Sequence, residues 1–104
     1  MEKEITSRHW SIYTCCQAGY LDRVKYHVEI LGSDINEPDI HNSVPLFYAC
    51  LCGHADIVKY LLEKGAKLNR GKFETERCFY AAHDQNIRRL LESYQGSVLG
   101  DVFG

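Results

Sequence analysis

The feature that most constrains this chain is a unit that nearly copies itself. Residues 39–71 read DIHNSVPLFYACLCGHADIVKYLLEKGAKLNRG. A polar turn leads into an apolar run opened by Pro45-Leu46. Gly53-His54 breaks that run, a second amphipathic run follows from Ala55 to Lys64, and Gly65-Ala66 stops it. Proline is pre-set for the first turn of a helix, and glycine takes the positive φ that ends one. Turn, helix, tight reversal and helix, recurring at a fixed period, mark a solenoid whose units bury their apolar faces only against one another.

Both flanks carry imperfect copies. Gly19, Asp22, Val24 and Tyr26 match Gly53, Asp56, Val58 and Tyr60 at a separation of 34. Ile35-Asn36 matches Leu68-Asn69 at 33, so one extra residue sits near Ile30-Leu31. On the other side, residues 76–82 match 44–50 at 32, while Ile87 and Leu91 match Ile57 and Leu61 at 30. Two residues are therefore missing at the third inter-helix reversal, where Asp84-Gln85-Asn86 replaces Gly-His. The expected organisation is one domain over residues 1–95, with units at about 10–38, 39–71 and 72–95. Met1 to Arg8 reads as a frayed lead-in. Residues 96–104 are Gly-rich and read as a tail without helical period, either a coil over the last helix or a linker.

Composition excludes several classes. A chain of 104 residues has room for one small domain. Its formal net charge of -2 argues against a general nucleic-acid binder, which shows a basic excess. No apolar run approaches the roughly 20 residues that cross a bilayer. The segment MEKEITSRHW carries acids and no apolar core, so no signal peptide is expected. Five cysteines, an odd number without such a signal, point to reduced thiols in the cytoplasm or nucleus. All five fall in apolar helical stretches and are expected to act as small buried hydrophobes.

Pro45-Leu46, Ala49, Gly53-His54, Ile57-Val58, Leu61-Leu62, Gly65-Ala66 and Asn69 together resemble the ankyrin repeat. The resemblance covers about residues 12–94 and implies an all-α solenoid of about three helix-turn-helix repeats. It also implies short β-hairpin fingers at 34–44 and 67–77. The family's usual Thr-Pro-Leu-His is here Val44-Pro45-Leu46-Phe47. Losing both polar partners together can be nearly neutral, whereas losing one strands the other. Two further stretches, Pro45 to His54 and Phe73 to Tyr80, resemble the N-terminal segment of the ankyrin repeat and BTB/POZ domain-containing proteins. Thr75 stands where that family's finger carries glycine. The resemblance implies a cytoplasmic, and also nuclear, adaptor that recruits a client protein. Its BTB/POZ part, absent from this chain, would join cullin-3-type ubiquitin ligases.

Ankyrin modules bind partner proteins through finger tips and inner helices. Carried over by alignment, that points to Ile40, His41 and Ser43 on the first finger and to Lys72, Phe73 and Thr75 on the second. On the inner helices it points to Gln17 and Ala18, Leu51 and Cys52, and His83 and Asp84. Large apolar groups at exposed positions are the unusual observation, and Ile40, Leu51 and Phe73 are the expected ones. Phe73 with Leu51 would form the binding centre, unless Phe73 folds onto its own finger. Arg77, Arg88, Arg89 and Lys72 give the third unit a basic edge, either solvated or docking an acidic partner.

Neither metal nor catalytic chemistry has a complete signature. Cys50-x-Cys52-x-His54 places its cysteines on different sides of a helix, with no second pair to complete a zinc site. Cys15, Cys16, His27, His41 and His83 offer no local nucleophile–base pairing. Asp22, Glu29, Asp56 and Glu63 read as solvated faces and helix-start acids. No cofactor and no enzymatic activity are expected. The competing class is a structural segment packed against a neighbouring domain of its own chain.

Overall fold

In a computed structural model of the chain, residues 10–68 and 73–103 are described, with side chains over 10–68 and 76–94. The expected lead-in at Met1 to Arg8 lies outside them. The described elements are α1 Ile12–Ala18, α2 Leu21–Lys25 with a π-helical continuation Tyr26–Ile30, α3 Pro45–Leu51, α4 Ala55–Glu63, α5 Phe73–Ala81 and α6 Gln85–Phe103. Along the inner row α1 packs on α3 and α3 on α5. Along the outer row α2 packs on α4 and α4 on α6. This is the solenoid that the repeat spacing predicts.

The helix ends follow from local chemistry. Ser11 caps α1, its Oγ accepting from the Thr14 amide. Gly19 closes α1 at φ 87°, its N–H returning to the Cys15 carbonyl. Pro45 opens α3 behind an extended Val44, which supplies no side-chain cap. After α4, Gly65 lies at φ 100°. The amides of Gly65 and Ala66 there return to the Leu62 and Leu61 carbonyls, satisfying orphan acceptors at the helix end.

The core is a register of equivalent positions. Ile12, Leu46 and Cys78 occupy one place in successive units; Cys15, Ala49 and Ala81 occupy the next; Cys16, Cys50 and Ala82 the third. All nine are buried. On the outer row Val24 and Val58, Ile57 and Ile87, and Leu61 and Leu91 repeat the pattern. Spacing of three and four residues puts these side chains on one helix face. Burial of a Leu or Ile side chain stabilises by about 1.5–3 kcal/mol. Stacked repeats gain this only jointly, since each face needs its neighbour.

The extra residue of the first unit has a structural home. Between Val24 and Gly32 the chain holds one residue more than between Val58 and Gly65. It is absorbed in the π-helical turn, where the Leu31 amide bonds the Tyr26 carbonyl at 3.1 Å. A π turn spans one residue more than an α turn. The insertion therefore bulges the outer helix without moving Val24 out of the core.

Four expectations need correction. Residues 34–44 form turns without strands, and 73–77 lie in α5, so neither stretch is a β-hairpin finger among the described residues. Gln85 and Asn86 open α6 and do not belong to the reversal. Asp84 precedes them, its carboxylate accepting from the Asn86 and Ile87 amides at 2.7 and 3.3 Å. The backbone of α6 stays helical through Phe103, so the stretch expected as coil continues the last helix. Finally, Cys52 is exposed, whereas the other four cysteines are buried.

Candidate protein-interaction groove

The described surface contains a groove between α1 and the loop that precedes α3. Tyr13, Thr14 and Gln17 form one wall, with Ser11 at its end. Pro38, Asp39, Ile40 and His41 form the other, and Tyr48 of α3 lies between them. Tyr13, Thr14 and Gln17 stand at i, i+1 and i+4 of α1, on the face opposite buried Ile12, Cys15 and Cys16. Ile40 is the outermost apolar residue at 94% exposure.

The loop holds its shape through Asp39. One carboxylate oxygen of Asp39 accepts from the His41 and Ser43 amides at 2.9 and 3.0 Å, and the other accepts from the Tyr48 hydroxyl. The backbone closes the same turn, the Asp39 amide bonding the Ser43 carbonyl and the Asn42 amide the Asp39 carbonyl. Asn42 takes φ 59°, a left-handed conformation asparagine tolerates well. Partial burial works to raise the Asp39 pKa, but the Tyr48 hydroxyl and the Ser43 and His41 amides outweigh it and hold the carboxyl below its usual range. Tyr48 moves the opposite way, raised by burial and by its bond to that carboxylate.

Arg77 of α5 fastens the loop from beneath. Its guanidinium lies 4.1 Å over the Phe47 ring, within cation–π range. Its Nη1 donates to the Ser43 hydroxyl at 2.7 Å and approaches the His41 carbonyl at 3.4 Å. Tyr13 ties the other wall, its hydroxyl donating to the Glu37 carbonyl. Burial and the charges of Asp39, Glu37 and Asp34 raise the Tyr13 pKa, so this rim is locally negative.

The predicted site residues divide into groups. Ile40 and His41 are brought together in the groove with Gln17. Leu51, 45% exposed, and Cys52 follow on the last turn of α3 and beyond it. His83 and Asp84 are exposed at the matching place after α5, as is Ala18, the first unit's equivalent of Asp84. Ser43 is buried under Arg77 and is a structural bridge, not a surface contact. Lys72 lies outside the described residues. Phe73 and Thr75 are in the first turn of α5, not at a finger tip.

The basic edge also changes meaning, because Arg77 is engaged with Phe47 and Ser43 and Arg88 Nε donates to the Ala82 carbonyl at 2.9 Å. Glu29, expected to be merely solvated, accepts from the buried Tyr60 hydroxyl across the repeat boundary. Tyr13, Thr14 and Tyr48 were not anticipated in the groove. The signal was present, since Thr14, Tyr48 and Tyr80 are equivalent in register and Tyr80 is 79% exposed.

The buried thiols of α1 and α3 are poor nucleophiles. Burial raises the pKa of Cys15 and of Cys16, and the neighbouring Cys78 thiol together with burial raises that of Cys50. These groups stay protonated at neutral pH, and the thiolate is the reactive form. Among the described residues no three His, Cys, Asp or Glu side chains gather as a metal site, and no helix is long and apolar enough to cross a membrane.

A family model described as ankyrin repeats in three copies matches residues 10–72. The chain is 44% identical over 89 residues to a BTB/POZ domain-containing protein 3 of Schizosaccharomyces pombe, covering 86% of this chain and 17% of that protein. It is 40% identical over 87 residues to an ankyrin repeat-containing protein of Saccharomyces cerevisiae, covering 84% of this chain and 17% of the other. A palmitoyltransferase, ZDHHC17 of Danio rerio, is 37% identical over 85 residues, which is 80% of this chain and 14% of that enzyme. The chain thus spans less than a fifth of the length of these curated relatives.

Proposed function

Because this chain belongs to the ankyrin-repeat family, a fold that serves protein–protein interaction, we propose that its groove is the client-binding face of a larger adaptor. The observation that carries this reading is Ile40, held at 94% exposure beside Tyr13, Gln17 and Tyr48. Ile40 does not stand alone but shares the groove with Tyr13, Pro38 and Tyr48, and contiguous apolar surface rimmed by polar residues marks an interaction site. Leu51 and Tyr80 continue apolar surface along the inner helices. Phe73, at the start of α5, would extend it to the third unit, and Lys72, Thr75, Cys52, His83 and Asp84 would form its rim.

The likeness to a protein named for its BTB/POZ domain supports an adaptor that carries such a domain. In this proposal that domain would follow the repeats and join a cullin-type ubiquitin ligase. The repeats would then choose the protein to be modified and take no part in chemistry. Such a protein would work in the cytoplasm or nucleus. The repeat domain would occupy residues 1–95, with α6 continuing towards whatever follows.

One observation favours a second reading. Tyr26, Ile30 and Leu31 are exposed on and just after the π turn of the outer row, away from the groove. That patch suits packing against another domain of the same protein. The deciding experiment expresses full-length protein with Ile40→Asp or Leu51→Asp and identifies co-purifying proteins by mass spectrometry. Loss of a defined set of partners, with circular dichroism unchanged, supports client binding. Retention of every partner by both folded variants overturns it, and a lowered melting temperature of the full-length protein, but not of residues 1–104 alone, with Ile30→Asp favours the second reading.

A further inference from the structure

The charge pattern around the groove is one-sided. Between Lys25 and Lys59 the chain has no lysine or arginine, yet it carries Glu29, Asp34, Glu37, Asp39 and Asp56. Residues 10–20, which supply the α1 wall, contain no charged residue at all. The groove therefore meets solvent through Asp39, with Asp34 and Glu37 on the adjoining rim, and these three charges act together on the Tyr13 hydroxyl. Asp39 is ionised but already satisfied by two amides and Tyr48. Three of its roughly four acceptor positions are used while its charge remains. Of the nearby groups that can carry positive charge, His41 lies in the groove beside Asp39, and Arg77 reaches Ser43 and Phe47 from the α5 side of the loop. Glu37 is exposed, and only its backbone carbonyl is committed to Tyr13.

We propose that this groove takes a peptide segment of basic and apolar residues. A lysine or arginine of the segment would lie along the Asp34–Glu37–Asp39 rim, and a neighbouring aliphatic or aromatic side chain would cover Ile40 and Pro38. The inference rests on the reading of the groove as the binding face and adds the chemistry of the partner. Complementary charge chiefly sets the rate of encounter and the rejection of wrong partners, while the apolar contact sets how long the segment stays. The apolar residue alone would not discriminate; the acidic rim excludes acidic segments by like-charge repulsion.

The test uses the full chain and three fluorescein-labelled twelve-residue peptides of alternating leucine with lysine, glutamate or serine, read by fluorescence polarisation and by amide shifts in nitrogen-15 spectra. The lysine peptide should shift the Thr14, Gln17, Ile40 and His41 amides and bind at least about fivefold more tightly than the serine peptide. Its affinity should fall several-fold in Glu37→Lys and between 50 and 200 mM salt, as exposed charges are screened. Ile40→Ser, which removes the apolar contact without adding charge, should instead weaken the serine and lysine peptides alike. If the glutamate or serine peptide binds the same amides as tightly as the lysine peptide, the charge class is wrong and the groove stands. If the lysine peptide leaves those four amides unmoved, whether it binds elsewhere or nowhere, both the inference and the groove reading fall.

Discussion

Gly19→Ala should be much more destabilising than the equivalent change one repeat later. Gly19 and Gly53 are matched positions, each just past an inner helix, at φ 87° and 77°. An L-residue in that left-handed region costs roughly 1–2 kcal/mol, and both substitutions bear this cost. They differ in what the new methyl meets. At Gly53 nothing lies within 4 Å, whereas at Gly19 the methyl would fall 2.6 Å from Cε1 and 2.9 Å from Nδ1 of His54. The His54 ring must move, and with it goes the bond of its Nε2 to the Gln17 carbonyl, 3.0 Å long and joining the first repeat to the second. A typical hydrogen bond contributes about 0.5–1.5 kcal/mol. The expected totals are about 2–3 kcal/mol for Gly19→Ala and about 1–2 for Gly53→Ala. Urea unfolding followed at 222 nm, with both variants also made in a His54→Ala background, separates the terms. In that background Gly19→Ala should cost no more than Gly53→Ala. The reasoning fails if the two glycine variants are equally destabilised in the presence of His54, or if removing His54 leaves the difference intact.

Burial, the bond to Glu29 and the Glu29 charge push the Tyr60 pKa up to about 12. The folded value lies above the ordinary 10.0, so the contribution is whole below pH 10 and is lost as pH rises towards 12. Tyr60→Phe should remove that alkaline decline in urea midpoints and cost about 1 kcal/mol at pH 7. For Asp39 the sign reverses. Its folded pKa is depressed from 3.8, so its contribution is present above that value and fades as pH falls through the folded one. Asp39→Asn should flatten the acid limb in the same unfolding assay. Arg77→Lys keeps the charge but loses the planar stack on Phe47, and should destabilise by about 1 kcal/mol in thermal unfolding. A midpoint within 1 °C of the parent would contradict that geometry.

The fold was legible because repetition multiplies weak signals. Gly19 with Gly53 and Val24 with Val58 align only through a shared register, and the same register exposed the extra residue that the π turn absorbs. The fingers were misread because strand pairing is a tertiary event. Asp39, well ahead of the helix that opens at Pro45, substitutes an Asx-type turn for a ladder. The start of α5 at Phe73 was missed for a related reason, since the residue before it in sequence, Lys72, is neither a proline nor a capping type. The tail was read as coil because Gly96 and Gly100 lower helix propensity by about 1 kcal/mol each. Yet Val98, Leu99, Val102 and Phe103 recur at helical spacing. Half of the groove was legible as finger and inner-helix positions. Tyr13 and Thr14 were not, because reading them required knowing that α1 faces the 38–41 loop.

The replacement of Thr and His by Val44 and Phe47 looked, from the residues, like two polar groups removed together. In the folded chain the polarity has moved instead of vanishing. Phe47 becomes the platform for Arg77, and Arg77 carries its hydrogen bond to Ser43, one residue before Val44. Ser43 in turn sits on the Asp39 carboxylate, whose other oxygen takes Tyr48. A side chain of the third repeat thereby fixes the loop between the first and second. The consequence is functional. Ordering a loop on binding costs affinity, and a loop already held by four side chains has little left to lose. Ile40 is exposed on a fixed loop, so the groove proposed as the binding face is preorganised in part by Arg77 and Ser43, which do not line it, and its rim keeps a carboxylate charge held by inward hydrogen bonds.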